Sequence, residues 1–129
     1  MQAGSPVHPG PLHVASRELL DIAAPGVKIY ATDISGAAGY SAGDFYATFN
    51  GTSSACPNAA AVMALIYAVN PLLTHAQARV IIETTTEKVG PYIYNNGVVG
   101  QPNGSWTSEL GYGRVNAFNA VVGGMREAF

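Results

Sequence analysis

From Ser54 to Val69 the chain reads SACPNAAAVMALIYAV. The run is rich in Ala, the best helix former, and it carries apolar residues on every side of a helical turn. A helix apolar all round has to be surrounded by other structure. In 129 residues that demand is hard to meet, because a small domain has little mass to wrap around one central helix. Asn70-Pro71 stops the run, since the residue before Pro avoids the α region. Composition sharpens the point. Hydrophobic residues make up 48% and charged residues 11%, against about 25% charged in an ordinary soluble domain. Two readings fit: a surface rich in Ser, Thr, Asn and Gly, common in exported proteins, or a piece of a larger domain whose surface is meant to be covered. The 54–69 helix favours the second.

The length allows one domain. With 6 Lys+Arg against 8 Asp+Glu, a net charge of -2, there is no basic stripe for nucleic-acid phosphates. The hydrophobic share excludes a disordered chain. No apolar run is expected to reach the ~18 residues of a membrane span, and no charged segment followed by an apolar one reads as a signal peptide. One Cys excludes a disulfide framework and a Cys-rich zinc site.

Residues 1–18, punctuated by Pro6, Pro9, Gly10 and Pro11, read as loop or as a truncated upstream segment. Leu19–Ala24 is a short apolar run stopped by Pro25-Gly26, and Val27–Ala31 reads as a second strand. Residues 32–44 look like a surface loop, and Tyr46–Phe49 a third strand. After the 54–69 helix, Thr74 starts another. Thr74 and Gln77 have capping-box spacing; Val80, Ile81 and Thr84 form its apolar side, with Arg79 and Glu83 outside. Residues 90–111 read as a long loop or ragged hairpin, and Tyr112–Val115 as a last short strand. Asn116 caps a final helix through Val122, stopped by Gly123-Gly124.

Chemistry concentrates in Phe49-Asn50-Gly51-Thr52-Ser53-Ser54-Ala55-Cys56-Pro57. A strand leads through a small-residue turn into the helix, placing Ser53 where backbone N–H groups lack intrahelical partners and carry partial positive charge. A hydroxyl there can attack a carbonyl while its own N–H faces the oxygen that becomes negative. Gly51 lets a substrate approach the backbone. The plainer reading makes Ser53 an N-cap, with Pro57 loosening the first turn because it has no N–H to give to the Ser53 carbonyl.

Gly51-Thr52-Ser53-Ser54-Ala55-Cys56-Pro57 resembles the Gly-Thr-Ser-x-Ala-x-Pro signature around the nucleophile of subtilisin-like serine proteases. Leu20–Ile29 is similar to that family's strand-turn-strand with Ala-Pro-Gly. Asn70-Pro71-x-Leu73-Thr74 is similar to the stop and restart after its central helix, and Gly111–Ala117 to its Gly-x-Gly-x-x-Asn-Ala. The four motifs stand in the family's order and cover about residues 20–122. The resemblance implies an α/β fold: residues 19–129 as the C-terminal part of a subtilase catalytic domain, with a three-layer fold, a parallel sheet and a buried central helix. It implies a serine endopeptidase acting on polypeptides through an acyl-enzyme on Ser53, with Asn50, Gly51 and Thr52 binding substrate. It also implies a secreted or cell-envelope setting. No cofactor is needed, with room for a structural calcium in the parent domain; neither nucleic acid nor membrane is an expected partner.

The family uses Asp, His and Ser in that chain order. Nothing here resembles its Asp-Thr-Gly or His-Gly-Thr motifs. His8 and His13 sit in Pro-rich sequence, and His75 starts a helix with an exposed position expected. The chain is therefore expected to need an upstream half, and to be inactive alone. Departures from the family pattern are Asn58 where His is usual, Ser54 where Met is common, and Cys56, read as a buried small hydrophobe. Asn50-Gly51-Thr52 and Asn103-Gly104-Ser105 match the glycosylation pattern, the first by coincidence because it falls in the cleft. Asp21 is either a turn residue or part of a cation site. The rivals are an α/β-hydrolase, disfavoured because Ala55 stands where its elbow has Gly and only His75 follows, and a catalytically inactive pseudoprotease or structural module.

Overall fold

The computed structural model describes residues 20–127; the reading of residues 1–18 as loop, with His8 and His13, lies outside them. Five elements follow one another: β1 (Ile29–Thr32), β2 (Phe45–Phe49), α1 (Thr52–Val69), α2 (His75–Thr84) and α3 (Ala117–Arg126). The chain is mixed helix and strand, as expected for an α/β fold. Strands β1 and β2 pair with each other, antiparallel. Ile29 faces Phe49 and Ala31 faces Tyr46, so β2 spends one extra residue between these pairs. That bulge puts Tyr46 and Phe49 on one face, where both are half-buried. Loop 33–44 closes the hairpin through the Asp33 carboxylate, which accepts the amides of Ile34 and Ser41.

Parallel pairing among the described residues is confined to one bridge, Ala23 with Arg114. The Tyr112 amide donates to the Asp21 carbonyl, the Ala23 amide to Gly113, and the Val115 amide to Ala23. Arg114 pairs on its other side with Glu87, antiparallel. Of the segments read as strands, residues 20–24 and 112–115 are thus adjacent but exchange too few bonds to form a continuous strand pair.

The three helices share the core: Val62 and Ile66 of α1, Ala78, Ile81 and Ile82 of α2, Ala120 of α3, and Leu73 from the connection. Helix α2 begins as its sequence indicates. Thr74 accepts the Gln77 amide, and the Gln77 side chain accepts the Thr74 amide. Asn116 caps α3 by accepting the Asn119 amide. Gly123-Gly124 does not end α3, which runs on to Arg126. A Cβ on Gly124 would lie 3.0 Å from Val69 Cγ2, and one on Gly123 3.0 Å from Ile81 Cγ2. These glycines let α3 sit close on α1 and α2, and that packing outweighs their low helix propensity.

Expectations about burial fail in three places. Of the expected apolar side of α2, Val80 and Thr84 are exposed, and Ile81 is buried beside Ala78 and Ile82 instead. Only Ser54, Val62 and Ile66 of α1 are buried, while Cys56, Pro57, Ala60, Ala61, Ala64, Leu65 and Ala68 are exposed. Spaced three and four apart, these form one stripe opposite the face that meets α3. Cys56 is accordingly exposed, not a buried hydrophobe. Helix α1 also starts two residues earlier than expected and reaches 18 residues, long and apolar enough to cross a membrane by length and composition. The third failure is Glu83, which is 1% exposed rather than outside; it is buried because Arg79 and Asn103 both bond to it.

Candidate active site

Four hydrogen bonds assemble the turn that carries Ser53. The Gly51 amide donates to the Gly26 carbonyl at 2.8 Å. Asn58 Nδ2, where the signature usually has His, donates to the Pro25 carbonyl at 2.9 Å. Asn50 Oδ1 accepts the Lys28 amide at 2.7 Å, and Asn50 Nδ2 donates to the Thr48 carbonyl. The Ala-Pro-Gly segment is therefore the support on which the start of α1 rests. Contact is close: a Cβ on Gly26 would stand 2.7 Å from the Gly51 carbonyl oxygen. The Asn50 bond also holds Lys28 at a positive φ of 54°, which a side chain adopts only with local support.

Gly51 is the N-cap, with φ 139° and no side-chain cap bond. Ser53 is thus the second helical residue and not the cap. Its side chain is exposed. The amides of Ser54 and Ala55 both donate to the Gly51 carbonyl, whereas those of Thr52 and Ser53 precede any intrahelical acceptor. A Cβ on Gly51 would come within 3.3 Å of Ser53 Oγ, so Gly51 also keeps clear the space beside the hydroxyl. Pro57 lies inside α1 and removes the N–H that would meet the Ser53 carbonyl, while Asn58 Nδ2 bonds the Ser54 carbonyl at 3.2 Å.

Of the residues singled out in sequence, Asn50, Gly51, Thr52 and Ser53 are brought together as one turn; the Asn50 side chain is spent on holding that turn. His75 is exposed, as expected, but it begins α2 beyond the far end of α1, a helix about 27 Å long at 1.5 Å per residue. Asp21 is in an ion pair: one carboxylate oxygen lies 2.8 Å from Arg79, and Arg79 Nε reaches Glu83 at 2.6 Å. The hydrogen bond to Glu83 and the charge of Asp21 push the Arg79 pKa up. Among the described residues no three His, Cys, Asp or Glu side chains gather as metal ligands.

The chain of groups Asp21–Arg79–Glu83–Asn103 was not read from sequence. Its members are 20 and 58 residues apart across two of its links, and only the i, i+4 spacing of Arg79 and Glu83 signalled a part of it. Lys88 was missed too. Its ammonium donates to the carbonyls of Ser105 and Tyr112 and lies 4.9 Å from the centre of the Tyr94 ring; burial pushes its pKa down.

The subtilase family model matches residues 10–113, beginning earlier than the motifs do. A calcium-dependent protease from Nostoc sp. is 40% identical over 103 residues, 72% of this chain and 15% of that protein. Subtilisin E from Bacillus subtilis is 37% identical over 81 residues, 62% of this chain and 19% of that protein. Alkaline elastase YaB from a Bacillus species is 35% identical over 98 residues, 76% of this chain and 20% of that protein. The chain thus spans a quarter or less of the length of these relatives. With the family model covering most of its residues, and with the Ala-Pro-Gly and Gly-Thr-Ser motifs packed into one turn, the chain belongs to the subtilase family of serine proteases.

Proposed function

We propose that this chain is the nucleophile-bearing part of a subtilisin-like serine endopeptidase. The observation that carries the reading is Ser53: an exposed hydroxyl in the first turn of α1, beside its own uncommitted amide, on a turn that Gly51 keeps open. Ser53 Oγ attacks the scissile carbonyl. Its proton passes to a His held by an Asp, both supplied from outside these residues, and then to the leaving amine. The ester on Ser53 is opened by water. The Ser53 N–H is one donor to the oxyanion and an upstream Asn side chain the other. Gly51 and Thr52 line the approach for the polypeptide, as does the Asn50 backbone.

In this reading residues 19–129 are the C-terminal part of a three-layer catalytic domain. The upstream part supplies further parallel strands and covers the exposed stripe of α1, so α1 is a core helix and not a membrane span. The chemistry needs no cofactor, and a structural calcium belongs to the parent domain, where the name of the Nostoc relative gives it a precedent. A secreted or cell-envelope setting follows the family. Neither nucleic acid nor a membrane is a partner.

The test is casein turnover by the longer protein and its Ser53→Ala variant. Loss of the nucleophile should cut turnover by about 10⁶-fold; a variant that keeps wild-type turnover overturns the assignment. A second reading, a fold module without chemistry, is favoured for the 129 residues alone by the place of His75 beyond the far end of α1. Purified chain should show no turnover that depends on Ser53.

A further inference from the structure

Three Asn-Gly pairs occur in the chain: Asn50-Gly51, Asn96-Gly97 and Asn103-Gly104. In such a pair the glycine amide nitrogen can attack the preceding side-chain carbonyl, because no side chain on the glycine hinders the approach. The attack needs an asparagine side chain free to swing over its own backbone and an amide nitrogen free to act. The structure treats the three pairs differently.

Asn50 is held at both ends of its amide, accepting from Lys28 and donating to Thr48. The attacking nitrogen there, that of Gly51, is bonded to the Gly26 carbonyl at 2.8 Å. Asn103 is half-buried. Its Nδ2 donates to Glu83 Oε2 at 2.5 Å, and its backbone amide donates to the Tyr112 hydroxyl at 3.2 Å. Neither can reach the reactive shape without breaking those bonds.

Asn96 is exposed and its side chain bonds to nothing among the described residues. The preceding residue is pinned, because Asn95 exchanges two backbone bonds with Trp106. The turn beyond is closed by the Gln101 amide on the Val98 carbonyl. Asn96-Gly97 spans the gap between these anchors, with Gly97 at a positive φ of 69°. No hydrogen bond occupies the Gly97 amide among the described residues.

We infer that Asn96 is a site of spontaneous self-modification, converted with age to a mixture of aspartate and isoaspartate, while Asn50 and Asn103 are protected by the fold. The Gly97 nitrogen bonds to Asn96 Cγ, the Cγ–Nδ2 bond breaks, and ammonia leaves with the proton lost from the Gly97 nitrogen. The five-membered imide is then opened by water at either carbonyl. No oxidant or reductant is involved. One carboxylate is gained, and the isoaspartate product lengthens the main chain by one carbon within the 90–111 loop.

The experiment is ageing of the purified chain in mildly alkaline buffer made with ¹⁸O-labelled water, followed by fragment mass spectrometry that resolves the three asparagines. A parallel sample is aged in concentrated urea. In the native sample Asn96 should convert roughly tenfold or more faster than Asn50 and Asn103, since the Asn50 pair must first lose three hydrogen bonds and the Asn103 pair two. In urea the three rates should come together. Equal native rates overturn the inference, as does an Asn96 preference that persists unchanged in urea, which would assign it to local sequence and not to the fold.

Discussion

Ser53 and Ser54 are neighbours with opposite surroundings. Ser53 is open to solvent, whereas Ser54 is 5% exposed and its hydroxyl has no partner among the described residues. An unpaired buried hydroxyl costs stability, and its replacement by a methyl group is near neutral or favourable. Ser54→Ala should therefore hold or raise the melting point, by up to about 1 kcal/mol in stability, and Ser53→Ala should leave it unchanged while removing activity from the proposed longer protein. A drop in melting point for Ser54→Ala would show a bond to that hydroxyl. Glu83 is the contrasting case. Its carboxylate joins Arg79 to Asn103, so Glu83→Ala should cost about 2 kcal/mol in urea unfolding, mostly by leaving Asn103 unpaired. A cost near zero would mean the network is not held in solution. The turn itself, from Asn50 to Ser53, was legible because its residues are consecutive, whereas its support by Pro25 and Gly26 comes from more than 20 residues away. The burial of Glu83 was not legible, because helical spacing alone put it beside Arg79 and outside, and its other partner lies 20 residues on.

At the level of elements the caps were the legible part. Thr74 with Gln77, and Asn116 with Asn119, are settled within one turn of chain. Where α3 ends was not, because Gly123-Gly124 answers to the surfaces of α1 and α2 and only secondarily to propensity. Gly124→Val should force α3 off Val69 and Ile66 and cost about 1–3 kcal/mol; a variant melting with the wild type would show that the helices yield freely. The pairing of β1 with β2 was equally hidden, since alternation marks a strand but not its partner. A clasp ties the segment after α2 to the start of α3. Glu87 pairs with Arg114 at 2.6 Å and accepts from Asn116 at 3.1 Å. Bonding to Arg114 first, then to Asn116, holds its pKa below the usual glutamate value. A depressed carboxylate adds stability above its unfolded pKa and loses it as pH falls through the folded one. Wild-type stability should therefore fall below about pH 4 more steeply than that of Glu87→Gln. Parallel acid curves for the two proteins would exclude this clasp.

Taken whole, the chain shows a helix whose composition calls for a covering on every side and whose stripe from Cys56 to Ala68 has none among the described residues. Exposed Leu72, Val99 and Phe118 extend the apolar surface elsewhere. Ordinary monomers carry largest apolar patches of about 300–600 Å², so the isolated chain should bind apolar dyes and self-associate in sedimentation. Ala64→Glu, placed mid-stripe, should weaken both without lowering the melting point. A dye-silent wild-type monomer would show that the stripe is covered. The buried-helix expectation came from composition, which states what a helix needs and not which polypeptide supplies it. The same division runs through the site, where these residues hold the serine and its amide while the proposed base comes from elsewhere. The most direct measurement is labelling by a fluorophosphonate, which reacts with a serine activated by a base. The reagent should leave the 129-residue chain unmodified and label the longer protein once, at Ser53, as located by mass spectrometry. Labelling of the longer protein at any other serine, or stoichiometric labelling of Ser53 in the chain alone, would contradict the account.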